Sequence, residues 1–370
     1  MRYMHELKNW PKFNWDAGHI ASILATVRNT QGRLLGRMES LGFSLRCEAF
    51  LTTLTQDILK SSEIEGEILD SKQVRSSLAR RLGINIAGQV SVDRHIDGVV
   101  EMMLDAVQNF DKPLTKERLF GWHSCLFPSG RSGMHKIKVA HWRDDNRGPM
   151  QVVSGALGHE KVHFEAPAAG RIDAEMKTFL KWFNDNQNFD SVLKAAIAHL
   201  WFVTIHPFRD GNGRIARAIA DMQLARSDNN AARFYSMSVQ IRKERAAYYK
   251  ILENAQKNTH IFQGGIDITP WLEWFLACLN RAFDTTENTL SGVLKKARFW
   301  QKYPQGTFNE RQRLMINKLF DGFEGKLTSS KWAKLAKCSQ DTALRDISEL
   351  LEKGILIKNE AGGRSTSYSL

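Results

Sequence analysis

The residues His206-Pro-Phe-Arg-Asp-Gly-Asn-Gly-Arg-Ile-Ala-Arg217 place a base, a carboxylate, a Gly-Asn-Gly turn and two arginines within twelve positions. A histidine takes up a proton near neutral pH. A single carboxylate next to phosphate oxygens suits Mg2+, which favours that mixture over an all-protein cage. Glycines give the tight backbone of a phosphate cradle, and arginines neutralise phosphate charge. Together these residues point to chemistry on a nucleotide phosphate. A second reading takes His206 and Asp210, four apart, as the metal ligands of a hydrolase. It has no obvious third ligand nearby and leaves both arginines unexplained.

Such groups need a rigid frame. Residues 192–205 are apolar almost all round, as in a helix buried inside a domain. Pro207 stops that helix, which leaves His206 at its end and Phe208 as an apolar anchor. A second helix begins near Gly213 and runs to Leu224. Its free N–H groups and positive dipole end favour an anion. Arg214 and Arg217 share one face of its first turn, where cations are disfavoured unless something anionic compensates. A triphosphate would do so.

The stretch matches every fixed position of His-x-Phe-x-(Asp/Glu)-Gly-Asn-Gly-Arg-x-x-Arg, and on these residues the chain resembles the Fic family. The resemblance implies a protein adenylyltransferase, in which a target hydroxyl attacks the α-phosphate of ATP and pyrophosphate leaves. It implies His206 as general base, Asp210 as holder of Mg2+, and Gly211, Asn212 and Gly213 as phosphate donors. Arg214 and Arg217 then neutralise the β- and γ-phosphates. Positioning and electrostatics carry most of such a transfer.

A second motif answers the first. Residues 45–65 form an apolar helical stripe through Phe50, Leu51, Leu54, Ile58 and Leu59, with Gly66 as its C-terminal cap. Glu63 and Glu65 fall in the last turn, where the dipole disfavours acids. One helix thus ends in misplaced anions while the other begins in misplaced cations, and contact would relieve both. Ser61-Ser-Glu-Ile-Glu65-Gly66 matches the family's inhibitory pattern (Ser/Thr)-x-x-x-Glu-(Gly/Asn). By resemblance, Glu65 pairs with Arg217 and prevents productive docking of the γ-phosphate.

Residues 150–153 and 162–164 read as two short strands around a turn at 154–158, the place of the target-docking flap in the family. The helix at 242–252 resembles the one that contributes to the nucleotide pocket, with Tyr248 or Tyr249 on the adenine side. Trp271, Trp274 and Phe275 read as core, and His199 as a structural histidine.

The expected fold is mainly α: a helical N-terminal domain over residues 1–85, a Fic-type helical core with a β-hairpin flap over 90–285, and a winged helix-turn-helix over 305–370. In the last of these, helices at 311–320, 328–336 and 339–353 precede a hairpin. The chain has 370 residues, 42% of them hydrophobic, and a formal net charge of +12. It shows no internal repeat, no apolar run of membrane-spanning length and no signal-peptide pattern. Cys47, Cys125, Cys278 and Cys338 are scattered, which suggests neither a zinc site nor a disulfide framework and makes a reduced cytoplasm the simplest home.

The charge permits a polyanion partner, but residues 309–370 hold 11 Lys and Arg against 8 Asp and Glu, a modest excess. If the winged helix meets duplex DNA, Arg345, Lys358 and Arg364 are the phosphate contacts. The expected activity is AMP transfer from ATP, with Mg2+, to a protein hydroxyl, the chain's own included, by a family whose members often dimerise. Two alternatives remain: removal of AMP from a modified protein, with Glu65 positioning water, and a transcriptional regulator in which the winged helix does the work.

Overall fold

The computed structural model describes residues 3–84, 86, 89–146, 148–155, 159, 161–185, 190–303, 306–320, 323, 325–359 and 366–370, with only the backbone of 287–289. It is mainly helical. Two compact units divide the chain, Met1–Thr286 and Glu287–Leu370.

The first unit opens with strand β1 (Phe13–Asn14) and helices α1 (Ala17–Glu39), α2 (Phe43–Ile64), α3 (Ser71–Leu82), α4 (Arg94–Gln108) and α5 (Lys116–Leu126). Two hairpins follow, β2 (Arg131–Ser132) with β3 (His135–Lys136), and β4 (Gln151–Ser154) with β5 (Lys161–Glu165). Then come α6 (Ile172–Asn184), α7 (Ser191–Ile205), α8 (Asn212–Asp228), α9 (Met237–Lys243) and α10 (Arg245–Gln256). Strands β6 (Ile261–Phe262) and β7 (Gly265–Asp267) lead into α11 (Thr269–Thr289).

Side-chain caps set several helix starts. Asp16, Asp70, Thr115, Asp190 and Ser236 each accept a backbone N–H of the first turn. The centre is the pair α7 and α8. From Val192 to Ile205 every residue of α7 is buried, and so is nearly all of α8 up to Ala225. Full burial of a large aliphatic or aromatic side chain contributes about 2 kcal/mol, so this pair anchors the loop between them. Helix α2 lies on the same core, packed against α3, α8 and α9. Buried Asp57 of α2 shares a short hydrogen bond with Ser236, and buried Asp221 of α8 pairs closely with Arg233.

The first residues are structural. Strand β1 adds in parallel to β7, so the N-terminal segment closes a sheet with residues 261–267. His5 Nε2 donates to the Glu165 carbonyl at 2.9 Å, and Tyr3 packs edge-on against Phe164 at 5.2 Å. Both contacts brace the β4–β5 hairpin. Its strands lie at 151–154 and 161–165, with a register irregularity between Val152 and Val153. Part of the turn expected at 154–158 lies outside the described residues.

The second unit holds α12 (Ser291–Lys302), α13 (Glu310–Phe320), α14 (Ser329–Leu335), α15 (Gln340–Glu352) and the antiparallel strands β8 (Ile357–Lys358) and β9 (Tyr368–Ser369). Its core gathers Met315, Ile316, Trp332, Ile347 and Leu350. Leu327 bridges to Tyr368 and widens the hairpin by one residue. Among the described residues, no helix is long and apolar enough to cross a membrane.

Candidate active site

His206 ends α7 in the left-handed region, φ 53° and ψ 57°. A residue with a side chain adopts that backbone only where its surroundings enforce it. Arg143 does much of this. Its Nε donates to the His206 carbonyl at 2.8 Å and its backbone N–H to the Pro207 carbonyl at 2.9 Å. Phe208 is buried and stacks on the His123 ring at 4.3 Å. Asn212 fastens the loop from the other side. Its side chain accepts from Phe208 N at 2.9 Å and donates to the Phe208 carbonyl at 2.8 Å. With both ends engaged, Asn212 has its backbone N–H rather than its side chain to offer a phosphate.

The imidazole of His206 lies 3.2 Å through Nδ1 from the Val203 carbonyl. A carbonyl only accepts, so Nδ1 carries the proton and Nε2 keeps its lone pair. Burial pushes the pKa of His206 down to about 4, against the partial support of that hydrogen bond. The ring is therefore neutral at physiological pH, with the Nε2 lone pair available to take a proton. It lines a cavity of about 570 Å³ together with Val153, Ser154, His163, Tyr248 and Tyr249.

Asp210 faces a second cavity, of about 860 Å³, along with Arg94, Arg131, Ser132 and Arg214. Its Oδ1 accepts from Gly211 N at 2.6 Å, and its Oδ2 takes a short hydrogen bond from Ser132. Among the described residues, no group of three or more His, Cys, Asp or Glu converges to hold a metal alone. A single carboxylate on a polar cavity fits Mg2+ carried in on phosphate oxygens better than a hydrolase metal site.

Glu65 stands between the cavities and lines both. It follows the last residue of α2, and Gly66, at φ +88°, turns the chain away. The Glu65 carboxylate lies over the start of α8. A Cβ on Gly213 would come within 2.2 Å of Glu65 Oε1, so glycine there is what permits the approach. Arg217 is 2% exposed, forms an ion pair with Glu65 Oε1 at 2.8 Å and donates to Ser61 Oγ at 3.0 Å and to the Ser61 carbonyl at 2.8 Å. Its Nη1 is buried without a partner, as is Nε of Arg214. Unsatisfied cationic donors beside a helix N-terminus form an anion site.

The structure thus brings together Ser61, Glu65, Gly66, Gly213 and Arg217. It also adds residues that the motifs do not name. Glu67 pairs with Arg214 at 2.7 Å and with His95 at 2.5 Å, so each motif arginine meets an acid from one short segment. Glu63 turns elsewhere, to Lys60 and Arg242. Tyr249 donates to Glu65 Oε2 at 3.3 Å, while buried Tyr248 bonds His199 at 3.1 Å. His199 itself is buried and stacked on Trp271. Of the three basic residues picked out for DNA, Arg345 in α15 and Lys358 in β8 are exposed, and Arg364 lies outside the described residues.

Residues 3–84 match a domain of unknown function, DUF4172, and residues 113–224 match the Fic/DOC family. A protein named Protein adenylyltransferase Fic from Aedes aegypti is 27% identical over 236 residues, covering 62% of this chain and 41% of the relative. One of the same name from Drosophila ananassae is 29% identical over 234 residues, again covering 62% and 41%. The chain therefore spans about two fifths of the length of these relatives. A crystal structure of a Fic family protein from Desulfovibrio desulfuricans matches at a TM-score of 0.58 and 21% identity, covering 97% of this chain and 98% of that one. A Fic domain-containing signaling protein from Bacteroides thetaiotaomicron matches at 0.53 and 20% identity, covering 72% and 98%. These last two speak for the fold alone. His206 through Arg217 lie inside the matched core, Glu65 lies in the DUF4172 segment, and the chain carries a Fic/DOC family domain over residues 113–224.

Proposed function

We propose that this protein transfers AMP from ATP to a hydroxyl side chain of a target protein, and that its own Glu65 restrains the reaction. The observation that carries the reading is the Glu65 carboxylate, paired with buried Arg217 over the N-terminus of α8. An anion already occupies the place where phosphate charge is best held. The relatives named protein adenylyltransferase support the choice of reaction.

His206 Nε2 would take the proton of the incoming hydroxyl. The N–H groups of Asn212 and Gly213, and that of Gly211 once Asp210 turns from it to Mg2+, would receive phosphate oxygens, and Arg214 and Arg217 would turn their unpartnered nitrogens to the β- and γ-phosphates. Asp210 would hold Mg2+, which when bound supplies charge neutralisation across the phosphates. With Glu65 on Arg217 and Glu67 on Arg214, both arginines are engaged, so nucleotide must displace carboxylates before it can dock for transfer. Glu65 and His206 also line one cavity. That supports a second reading, in which the pair flanks a water and removes AMP from a modified protein. For the C-terminal unit, three helices followed by a hairpin support a winged helix-turn-helix.

The reaction is tested with ATP labelled at either end. Label at the α-phosphate should pass to protein in a Glu65→Gly background, and label at the γ-phosphate should not. Transfer of the γ-label would make the chain a kinase and sink the reading.

A further inference from the structure

The cavity beside His206 contains a second histidine in a different setting. His163, on β5, reaches Ser154 Oγ through Nε2 at 2.6 Å and Glu253 Oε2 through Nδ1 at 2.9 Å. Ser154 ends β4, and Glu253 comes from α10. Glu253 also pairs closely with Lys257, and these two hydrogen bonds hold its carboxyl below the usual carboxylate range. It is thus an ionised acceptor, so His163 Nδ1 carries the proton and Nε2 is free to accept from the serine. A serine on a histidine that is oriented by a carboxylate is the arrangement that activates a hydroxyl as a nucleophile. Both His163 and Glu253 are about one quarter exposed, and Ser154 is open to solvent. All three line the same cavity as His206. A contact serving only to fasten the hairpin would not require the serine at the open end of the series.

The geometry points to Ser154 as the hydroxyl that accepts AMP when the chain modifies itself, with His163 as its base and Glu253 as the residue that positions that base. The inference rests on the transfer reading above. Ser154 Oγ attacks the α-phosphorus of ATP. The Oγ–P bond forms, the bond from the α-phosphorus to the bridging oxygen breaks, and pyrophosphate leaves with that electron pair. The serine proton passes to His163 Nε2, and Glu253 stabilises the resulting imidazolium. Loss of a general base typically slows such a step by 10²–10⁴-fold.

The test uses the purified full chain carrying Glu65→Gly, with Mg2+ and α-labelled ATP, and maps the labelled residue by mass spectrometry. A parallel reaction in cell lysate reports transfer to other proteins. Label on Ser154 is expected, with at least a tenfold loss on adding Ser154→Ala. Adding Ser154→Thr should keep the label and move it to the threonine, which shows that folding survives at this position. Adding His163→Gln should slow self-labelling at least a hundredfold. Label persisting undiminished in the Ser154→Ala chain, or mapping elsewhere, overturns the inference while lysate labelling leaves the transferase reading standing. Absence of label on the chain and on every lysate protein overturns both.

Discussion

Among single residues, the proposed transfer depends most on the protonation of His206. Its Nδ1–H is held by the Val203 carbonyl, and burial keeps the ring neutral down to about pH 4. A base works in its deprotonated form, so a lowered pKa extends activity toward acid. The labelling rate of Glu65→Gly should therefore show no acid limb near pH 6.5, where an ordinary exposed histidine titrates, and should fall only as the pH nears 4. A half-maximal rate close to pH 6.5 would contradict the assignment. The residue types were legible because chemistry constrains them: a base, a carboxylate and two arginines around a glycine turn leave few other readings. Arg143 was not legible as the group that holds the left-handed backbone of His206. Nothing in its local sequence marks a residue that acts 63 positions away. Glu67 was not legible, since it follows the motif and meets Arg214 only once the φ +88° backbone of Gly66 has turned the chain.

At the scale of elements, α2 and α8 meet through more than Glu65. Arg217 Nε donates to Ser61 Oγ at 3.0 Å, deep in the interface. Ser61→Ala would leave a second buried nitrogen of Arg217 unpaired, because Nη1 already lacks a partner. An orphaned buried donor costs about 1–3 kcal/mol, and about 1.4 kcal/mol is a factor of ten in an equilibrium. The α2 end should detach more often, and basal labelling should rise about tenfold with Glu65 intact. Labelling at the wild-type level would mean that Ser61 contributes nothing to the restraint. The helices could be read from apolar spacing, and α2, at Phe43–Ile64, lies close to the stripe seen at 45–65. The link between Asp57 and Ser236 could not be read, since 179 residues separate the partners and the pairing arises only when α9 packs on α2.

For the molecule as a whole, the N-terminal helices belong to one compact unit with the Fic/DOC core. Composition alone sets them apart. It does not show that buried residues of α2 complete the core beside α8 and α9, or that β1 joins β7. That unit buries neutral histidines. Burial pushes His123 down to about 4 and His199 to about 3. In the unfolded chain a histidine titrates near 6.5. Folding therefore disfavours their protonation, and their contribution is fully present above pH 6.5 and lost as the pH falls toward the folded values. At pH 5 each costs on the order of 2 kcal/mol. The urea midpoint should drop between pH 7 and pH 5, with part of the loss offset by Asp221, whose carboxyl burial pushes up to about 8. An unchanged or higher midpoint at pH 5 would mean that these rings are not buried in their neutral form.

The most direct measurement of the central claim compares the intact chain, Glu65→Gly and Glu65→Gly/His206→Ala for transfer of α-labelled AMP from Mg2+–ATP in cell lysate. Weak labelling of lysate proteins by the intact chain, strong labelling by Glu65→Gly and none by the double variant are expected, the chain's own band being scored separately. Equal labelling by the first two would contradict the role of the Glu65–Arg217 contact, and label surviving on other proteins in the double variant would remove His206 from the transfer to targets.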